Sequence, residues 1–93
     1  MNKRRSRVQI IFDILNAIKE KGGKIKPTHL LYKSNLSHNM MNEYLIELMY
    51  KKFIEEEINK KNKMYILTNK GFEYLQEYNR VQKFMDSFGL DEL

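Results

Sequence analysis

Hydrophobic residues recur at helical spacing in three long stretches of the 93-residue chain, and the clearest stretch lies near its middle. Between Ser37 and Lys52, four hydrophobic residues fall on one side of a predicted helix: Met41, Tyr44, Leu45 and Leu48. Ser37 stands at the N-cap position, where its hydroxyl can accept a hydrogen bond from the backbone. The opposite side of the first turns carries His38, Asn39 and Asn42, which are short, polar and without negative charge. Such side chains suit a helix whose N-terminal end enters a DNA major groove, although an ordinary solvent-exposed face has the same composition.

A first amphipathic helix is predicted from about Arg5 to Lys21. Its hydrophobic side contains five residues, with Ile10 and Ile14 widening it: Val8, Ile11, Phe12, Leu15 and Ile18. The pair Gly22-Gly23 ends this helix, because glycine readily adopts the left-handed conformation of a helix C-terminus. Lys24–Lys26 follows and suits a three-residue edge strand.

Pro27 fits the first turn of a second helix, which we expect to cover Thr28 to about Lys33. This short helix offers Leu30, Leu31 and Tyr32 to the core. Residues 34–36 then connect it to the central helix. The spacing of the two helices is that of a helix-turn-helix, but many other helix pairs share it.

A β-hairpin is predicted directly after the central helix. Phe53–Ile58 and Met64–Leu67 have the pattern of strands, and the polar segment Asn59–Lys63 between them forms a strongly basic turn. A hairpin with a basic tip after a helix-turn-helix is the wing of a winged helix. The predicted fold is therefore mainly α with a small β-hairpin, an α+β winged helix-turn-helix.

A last helix is predicted from Asn69 to about Phe88, with Thr68 as its cap. Gly71 in its first turn costs helix stability, which indicates close packing against the domain. The hydrophobic stripe of this helix continues beyond the reach of so small a domain, so we expect a dimer. The residues expected at the dimer interface are Leu75, Tyr78, Val81, Met85 and Phe88.

Charge is distributed unevenly along the chain. The net charge is +5, with +7 in residues 1–33, −2 in residues 34–50, +3 in residues 51–70 and −3 in residues 71–93. Such asymmetry suggests a polyanion bound on one face. The chain has no cysteine, no hydrophobic run long enough to span a membrane and no signal-peptide pattern. We therefore expect a soluble cytoplasmic protein with one domain over residues 1–93.

Catalytic chemistry finds little support in the sequence. His29 and His38 are the only histidines, and two histidines without cysteine make no recognisable zinc set. Gly22-Gly23 lacks the Lys-Ser/Thr context of a phosphate-binding loop. Glu55–Glu57 alternates between the two faces of its strand, so these carboxylates do not converge. We predict neither an enzyme nor a bound cofactor or metal.

Several segments together carry a resemblance to a known family. They are Arg4–Leu15, Thr28–Ser37, the pair Tyr44-Leu45, and Leu67–Gly71. Over roughly residues 4–85 the chain resembles small archaeal winged-helix proteins, namely the chromatin-associated proteins of the 10a type and related transcriptional regulators. The resemblance implies a winged helix whose C-terminal helix pairs antiparallel across a dimer, and DNA binding that is either sequence-tolerant or directed to an operator. The last helix is short for that family, so an extensive coiled coil is not implied.

The sequence thus predicts a homodimer that binds double-stranded DNA in transcription regulation or as a nucleoid-associated chromatin protein. We divide the domain into a helix-turn-helix over about residues 27–52, a wing over about 53–67 and a C-terminal helix over about 69–88. The expected DNA-binding residues are Arg4, Arg5, Arg7, Ser37, His38, Asn39, Asn42, Lys60, Lys61 and Lys63.

Two alternatives to DNA binding remain. The first is a protein-docking module, which would expose a hydrophobic patch on the wing or the central helix, where the sequence has mainly Lys, Asn, His and Ser. The second is attachment of the basic tail to a membrane surface, which is disfavoured because the tail has no hydrophobic face to insert.

Overall fold

The computed structural model describes residues 5–90. Within this range the elements are α1 (Arg7–Glu20), β1 (Lys24–Ile25), α2 (Pro27–Ser34), α3 (His38–Tyr50), β2 (Ile54–Asn59), β3 (Asn62–Leu67) and α4 (Asn69–Ser87). This order confirms the predicted winged helix, mainly helical with a small antiparallel sheet.

Local side-chain chemistry sets both ends of α1. Ser6 accepts a hydrogen bond from the backbone N–H of Gln9, and the Gln9 side chain accepts one from the backbone of Ser6. This reciprocal capping box makes Arg7 the first helical residue, two positions later than predicted. At the other end, Gly22 takes a φ of 84° and Gly23 donates back into the last turn. The predicted glycine stop is confirmed.

The sheet has the strand order β1-β3-β2, with both pairings antiparallel. Ile25 lies opposite Tyr65, so the short segment after α1 is an edge strand, of two residues rather than three. β3 is two residues longer than predicted, and β2 begins and ends one residue later, because Asn59 pairs with Asn62. The turn is therefore only Lys60-Lys61, and the prediction of a five-residue turn was wrong.

Hydrophobic residues from every helix and strand meet in one core, to which β2 contributes only its first residue, Ile54. Its buried members are Ile10, Ile14, Leu15, Ala17, Ile18, Ile25, Leu30, Met41, Tyr44, Leu45, Leu48, Ile54, Tyr65 and Leu75. The four residues predicted for the buried side of α3 are all among them. On α1 the buried side is centred on Ile14 and Ile18, whereas Val8 is 41% exposed. Tyr32, which was expected to be available to the core, is 84% exposed because it lies on the outer side of α2.

The joint between the wing and α4 depends on Thr68 and Gly71. The Thr68 hydroxyl accepts from the backbone N–H of Gly71 and lies 2.7 Å from the Lys52 carbonyl. A Cβ on Gly71 would come within 2.4 Å of the Phe53 carbonyl oxygen and 2.6 Å of a Leu67 methyl. The close approach predicted from this glycine is confirmed, and it holds α4 against the base of the wing.

Candidate nucleic-acid interface

The N-terminal end of α3 lies outside the hydrophobic core and is exposed. Ser37 caps the helix, its hydroxyl accepting from the Met40 N–H at 3.2 Å. His38, Asn39 and Asn42 are all exposed, and none of the three makes a side-chain hydrogen bond or ion pair to another described residue. These side chains are therefore available to a ligand that approaches the first two turns.

The outward side of α3 differs in one respect from the sequence-based expectation. Glu43, Ile46 and Tyr50 continue the row that Asn39 begins, and Ile46 is exposed by 67% and Tyr50 by 83%. The helix contains no Lys or Arg between His38 and Tyr50. The surface is thus polar at its start but carries one carboxylate and two large apolar side chains further along.

The wing places two lysines at its tip. Lys60 and Lys61 form the two-residue turn, are exposed, and have no ion pair with another described residue. Lys60 has a φ of 56°, a left-handed conformation that costs a non-glycine residue about 1–2 kcal/mol. Lys63 lies in β3 instead, 3.2 Å from Glu56, whose carboxylate raises the pKa of the Lys63 ammonium.

Arg5 is engaged within the chain. Its guanidinium lies 2.6 Å from the Asp13 carboxylate and also donates to the carbonyl oxygens of Ser34 and Asn35, at the end of α2. These contacts use the donors that a phosphate would need, so we remove Arg5 from the expected phosphate contacts. Arg4 lies outside the described residues.

Arg7 connects the start of α1 to α3. It lies 2.6 Å from Glu47 and 5.6 Å from the centre of the Tyr44 ring. The hydrogen bond and charge of Glu47 raise the pKa of Arg7. Hydrogen bonds from Lys51 and then Arg7 lower the pKa of Glu47. Arg7 remains 62% exposed, so it can face a polyanion while paired.

Comparison with known proteins identifies the arrangement of helix-turn-helix and wing. A family model described as winged helix-turn-helix matches residues 4–86. The chain belongs to this family. No curated protein sequence matches it.

Three solved structures are similar to this winged-helix protein in fold. Sso10a-2, a DNA-binding protein from Sulfolobus solfataricus, is 21% identical with a TM-score of 0.78, covering 90% of this chain and 85% of that one. A winged-helix DNA-binding protein from STIV is 19% identical with a TM-score of 0.72, covering 84% and 90%. The oxidized form of MarR from E. coli is 18% identical with a TM-score of 0.65, covering 87% and 62%.

The C-terminal helix of this winged-helix protein exposes a stripe that differs from the predicted one. Leu75 is only 2% exposed and lies in the core of its own chain, so we remove it from the interface. Tyr78 stacks on Phe12, with ring centres 4.2 Å apart. The residues that remain on the outside are Val81 (39% exposed), Phe84 (58%), Phe88 (67%) and the half-buried Met85. Phe84 was missed, although its spacing to Val81 and Phe88 is that of one helix face.

Two lysines beside the helix-turn-helix were also missed from the sequence. Lys26 is the N-cap of α2 and makes no side-chain capping bond. Pro27 follows it at the first position of the helix. Because proline favours that position, the sequence could have placed Lys26 at the exposed start of α2. Lys52, after α3, has a φ of 68° and is exposed. Both lysines lie at ends of the two helices that form the motif.

Two further properties concern the described part of the chain. Among residues 5–90, no three His, Asp or Glu side chains are grouped closely enough to hold a metal ion. Across the same residues, each helix is too short or too polar to cross a membrane.

Proposed function

We propose that this protein binds double-stranded DNA as a homodimer and regulates transcription. In this proposal the first turns of α3 enter the major groove and the wing tip contacts phosphates. The whole chain, residues 1–93, acts as one domain in the cytoplasm, associated with the nucleoid. The family membership and the DNA-binding proteins of similar fold support this proposal.

The observation that carries the proposal is the conformation of the wing tip. Lys60 occupies a left-handed turn position that glycine or asparagine would fill at lower cost. Residues held in such sparsely populated conformations cluster at functional sites. Together with Lys61, Lys60 places two positive charges, which have no ion pair among residues 5–90, at the end of a hairpin, and this arrangement is suited to phosphate contact.

Base contact is proposed for the start of α3. Asparagine can form two hydrogen bonds to adenine, through N6 and N7, and such a pair discriminates between bases by about 1–3 kcal/mol. Asn39 and Asn42 are exposed one turn apart near the N-terminus of the helix. His38 lies beside them and Ser37 fixes the helix start, so these four residues make up the proposed reading end. Arg7 and Lys63 are proposed as flanking phosphate contacts.

Dimerisation is proposed through the outer stripe of α4, formed by Val81, Phe84, Met85 and Phe88. The Phe84 and Phe88 rings lie 5.0 Å apart, and both remain largely exposed in the described part of the chain. A second copy presenting the same stripe about a two-fold axis would bury it. Two α3 helices bound to one face of a duplex would then lie about 34 Å apart, or a multiple of that distance.

The proposal is tested by a gel-shift series against random and genomic duplex fragments with titrated salt. We expect retardation that weakens steeply with salt. The double variant Asn39→Ala/Asn42→Ala should lose more affinity for the preferred fragment than for random DNA. Asn79→Ala, an exposed asparagine on α4, is the matched control and should bind as the wild type does. Absence of any duplex binding at low salt would contradict the proposal.

Protein docking is the second candidate function. Ile46 and Tyr50 on α3, and Ile58 on the wing, are exposed by 67%, 83% and 66%. These are the surfaces on which a docking module would expose hydrophobic residues. Docking would be favoured if Ile46→Asp abolished a protein interaction while the full chain bound no duplex in the gel-shift series.

A further inference from the structure

The negative charges of the helix-turn-helix half of the molecule are almost all neutralised. Between residues 5 and 53 there are four acidic residues. Three of them pair with cations: Asp13 with Arg5, Glu20 with Lys33, and Glu47 with both Arg7 and Lys51. Glu43 alone has no ion pair with a described residue, and it is exposed.

Glu43 stands at the centre of the outward side of α3. Asn39, Asn42, Glu43 and Ile46 have the spacing i, i+3, i+4 and i+7, which aligns them along one face of the first three turns. The buried residues of the same helix, such as Leu48, lie on the other side. Any duplex that receives the start of α3 in its groove therefore meets the Glu43 carboxylate and the Ile46 side chain.

Exposed lysines that could contact phosphates lie at the ends of the two helices and at the wing tip. Lys52 follows the end of α3, Lys26 begins α2, and Lys60 and Lys61 are at the wing tip. A protein that coats DNA without regard to sequence gains its affinity from phosphate contacts along the whole interface. An unpaired carboxylate at the centre of that interface would lower such affinity, since it repels the phosphates. A carboxylate that accepts a hydrogen bond from a cytosine amino group recovers the loss only at that base.

We propose that Glu43 and Ile46 are specificity-determining residues, with Glu43 accepting from cytosine N4 and Ile46 contacting a thymine methyl. The protein then recognises a defined duplex sequence instead of coating DNA. This inference depends on the proposed function, because it assigns the bases that the same helix reads.

The test begins with selection of binding sites from a random duplex pool by the full-length wild type, followed by affinity measurements on the enriched site. Replacing the contacted cytosine–guanine pair should weaken wild-type binding by about 5- to 150-fold. Glu43→Gln should lose that discrimination and shift preference towards adenine, with unchanged or tighter binding to random DNA. The control Glu73→Gln removes an exposed charge from α4 and should keep the wild-type site and its discrimination.

A second measurement addresses Ile46 without relying on a charge change. Replacing the contacted thymine by uracil removes only its methyl group and should weaken wild-type binding about fourfold, the value of one buried methyl. Ile46→Ala should be insensitive to this replacement. Circular dichroism and thermal unfolding of both variants should match the wild type, because both side chains are exposed.

The outcomes separate this inference from the proposed function. Duplex binding without an enriched sequence would overturn the inference and leave DNA binding intact. Glu43→Gln that tightens binding to every duplex by the same factor would also overturn it, since the carboxylate would then only repel phosphates. Absence of duplex binding by the wild type would overturn both and leave the outer row of α3 for protein docking.

Discussion

The guanidinium of Arg5 and the carboxylate of Asp13 lie 2.6 Å apart, although the two residues are eight positions apart in the sequence. The same guanidinium donates to the backbone carbonyls of Ser34 and Asn35. Asn35 is the left-handed residue that ends α2, with a φ of 54°. One side chain thus joins the start of α1 to the turn of the helix-turn-helix, and its role is structural.

Removal of either partner of this ion pair should lower stability. We expect Arg5→Ala to reduce the free energy of unfolding by about 1–3 kcal/mol, because it leaves two carbonyl groups without a charged donor. Asp13→Ala should lose less, since Arg5 keeps its bonds to α2. Urea denaturation measures both. If Arg5→Ala weakened DNA binding while leaving unfolding unchanged, the arginine would be a DNA contact instead.

Substitutions at the wing tip should raise the stability of the fold but weaken its binding to DNA. Lys60→Gly should raise the free energy of unfolding by about 0.5–1 kcal/mol, since glycine adopts the positive φ without strain. Combined with Lys61→Ala, it should flatten the dependence of log K on log salt by about 0.9 for each phosphate that the wing no longer neutralises. Lys83→Ala on α4 is the control and should keep the wild-type slope. An unchanged slope in the wing variant would mean that the wing does not touch DNA.

The outer stripe of α4 should control the oligomeric state. We expect wild-type protein at micromolar concentration to have twice the 11.3 kDa chain mass by light scattering. Phe84→Glu/Phe88→Glu should be monomeric, because carboxylates on facing helices repel and cannot be buried unpaired. The control Asn79→Glu/Lys83→Glu changes exposed residues away from the stripe and should remain dimeric. A monomeric wild type would contradict the proposed dimer.

Packing around Gly71 determines whether Gly71→Ala raises or lowers the free energy of unfolding. Helix propensity alone would make Gly71→Ala stabilising by about 1 kcal/mol. We expect the reverse, a loss of about 1–3 kcal/mol, since the added Cβ meets the fixed Phe53 carbonyl. Thermal unfolding of this variant, beside Gln76→Ala at an exposed position of α4, measures the difference. A rise in the free energy of unfolding would show that the joint can relax.

Tyr74 should make stability fall at high pH. Burial first, and then neighbouring Tyr78, raises its pKa to about 12, while its hydroxyl donates to the Val8 carbonyl at 2.9 Å. An unfolded tyrosine has a pKa of about 10. The stability from the neutral hydroxyl is therefore complete below pH 10 and is lost as pH rises towards 12.

Tyr74→Phe isolates this contribution. It should lower the free energy of unfolding by about 1 kcal/mol at neutral pH, since the hydrogen bond is removed. Urea denaturation at several values between about pH 9 and pH 12 should show a shallower decline than in the wild type. Equal declines in the two proteins would assign the alkaline loss to other groups.

Local sequence determined the elements and most of their ends. Ser37 and Thr68 occupy N-cap positions, Gly22-Gly23 ends α1, and the four hydrophobic residues predicted for α3 are buried. These features depend on residues within one or two turns of one another, so the spacing along the chain contains the necessary information. The winged-helix class followed from their order.

Tertiary structure decided which side chains are paired or buried within the chain and which remain exposed to a binding partner. Arg5 pairs with Asp13 and with α2, and Leu75 belongs to the core while Phe84 is exposed. Among the described residues Glu43 has no ion pair, whereas Glu47, one turn later, pairs with two cations. These outcomes depend on how α1 crosses the other helices, a relation between residues as many as 66 positions apart. Spacing within one helix gives its faces, but only the packing of several elements determines which face meets a partner.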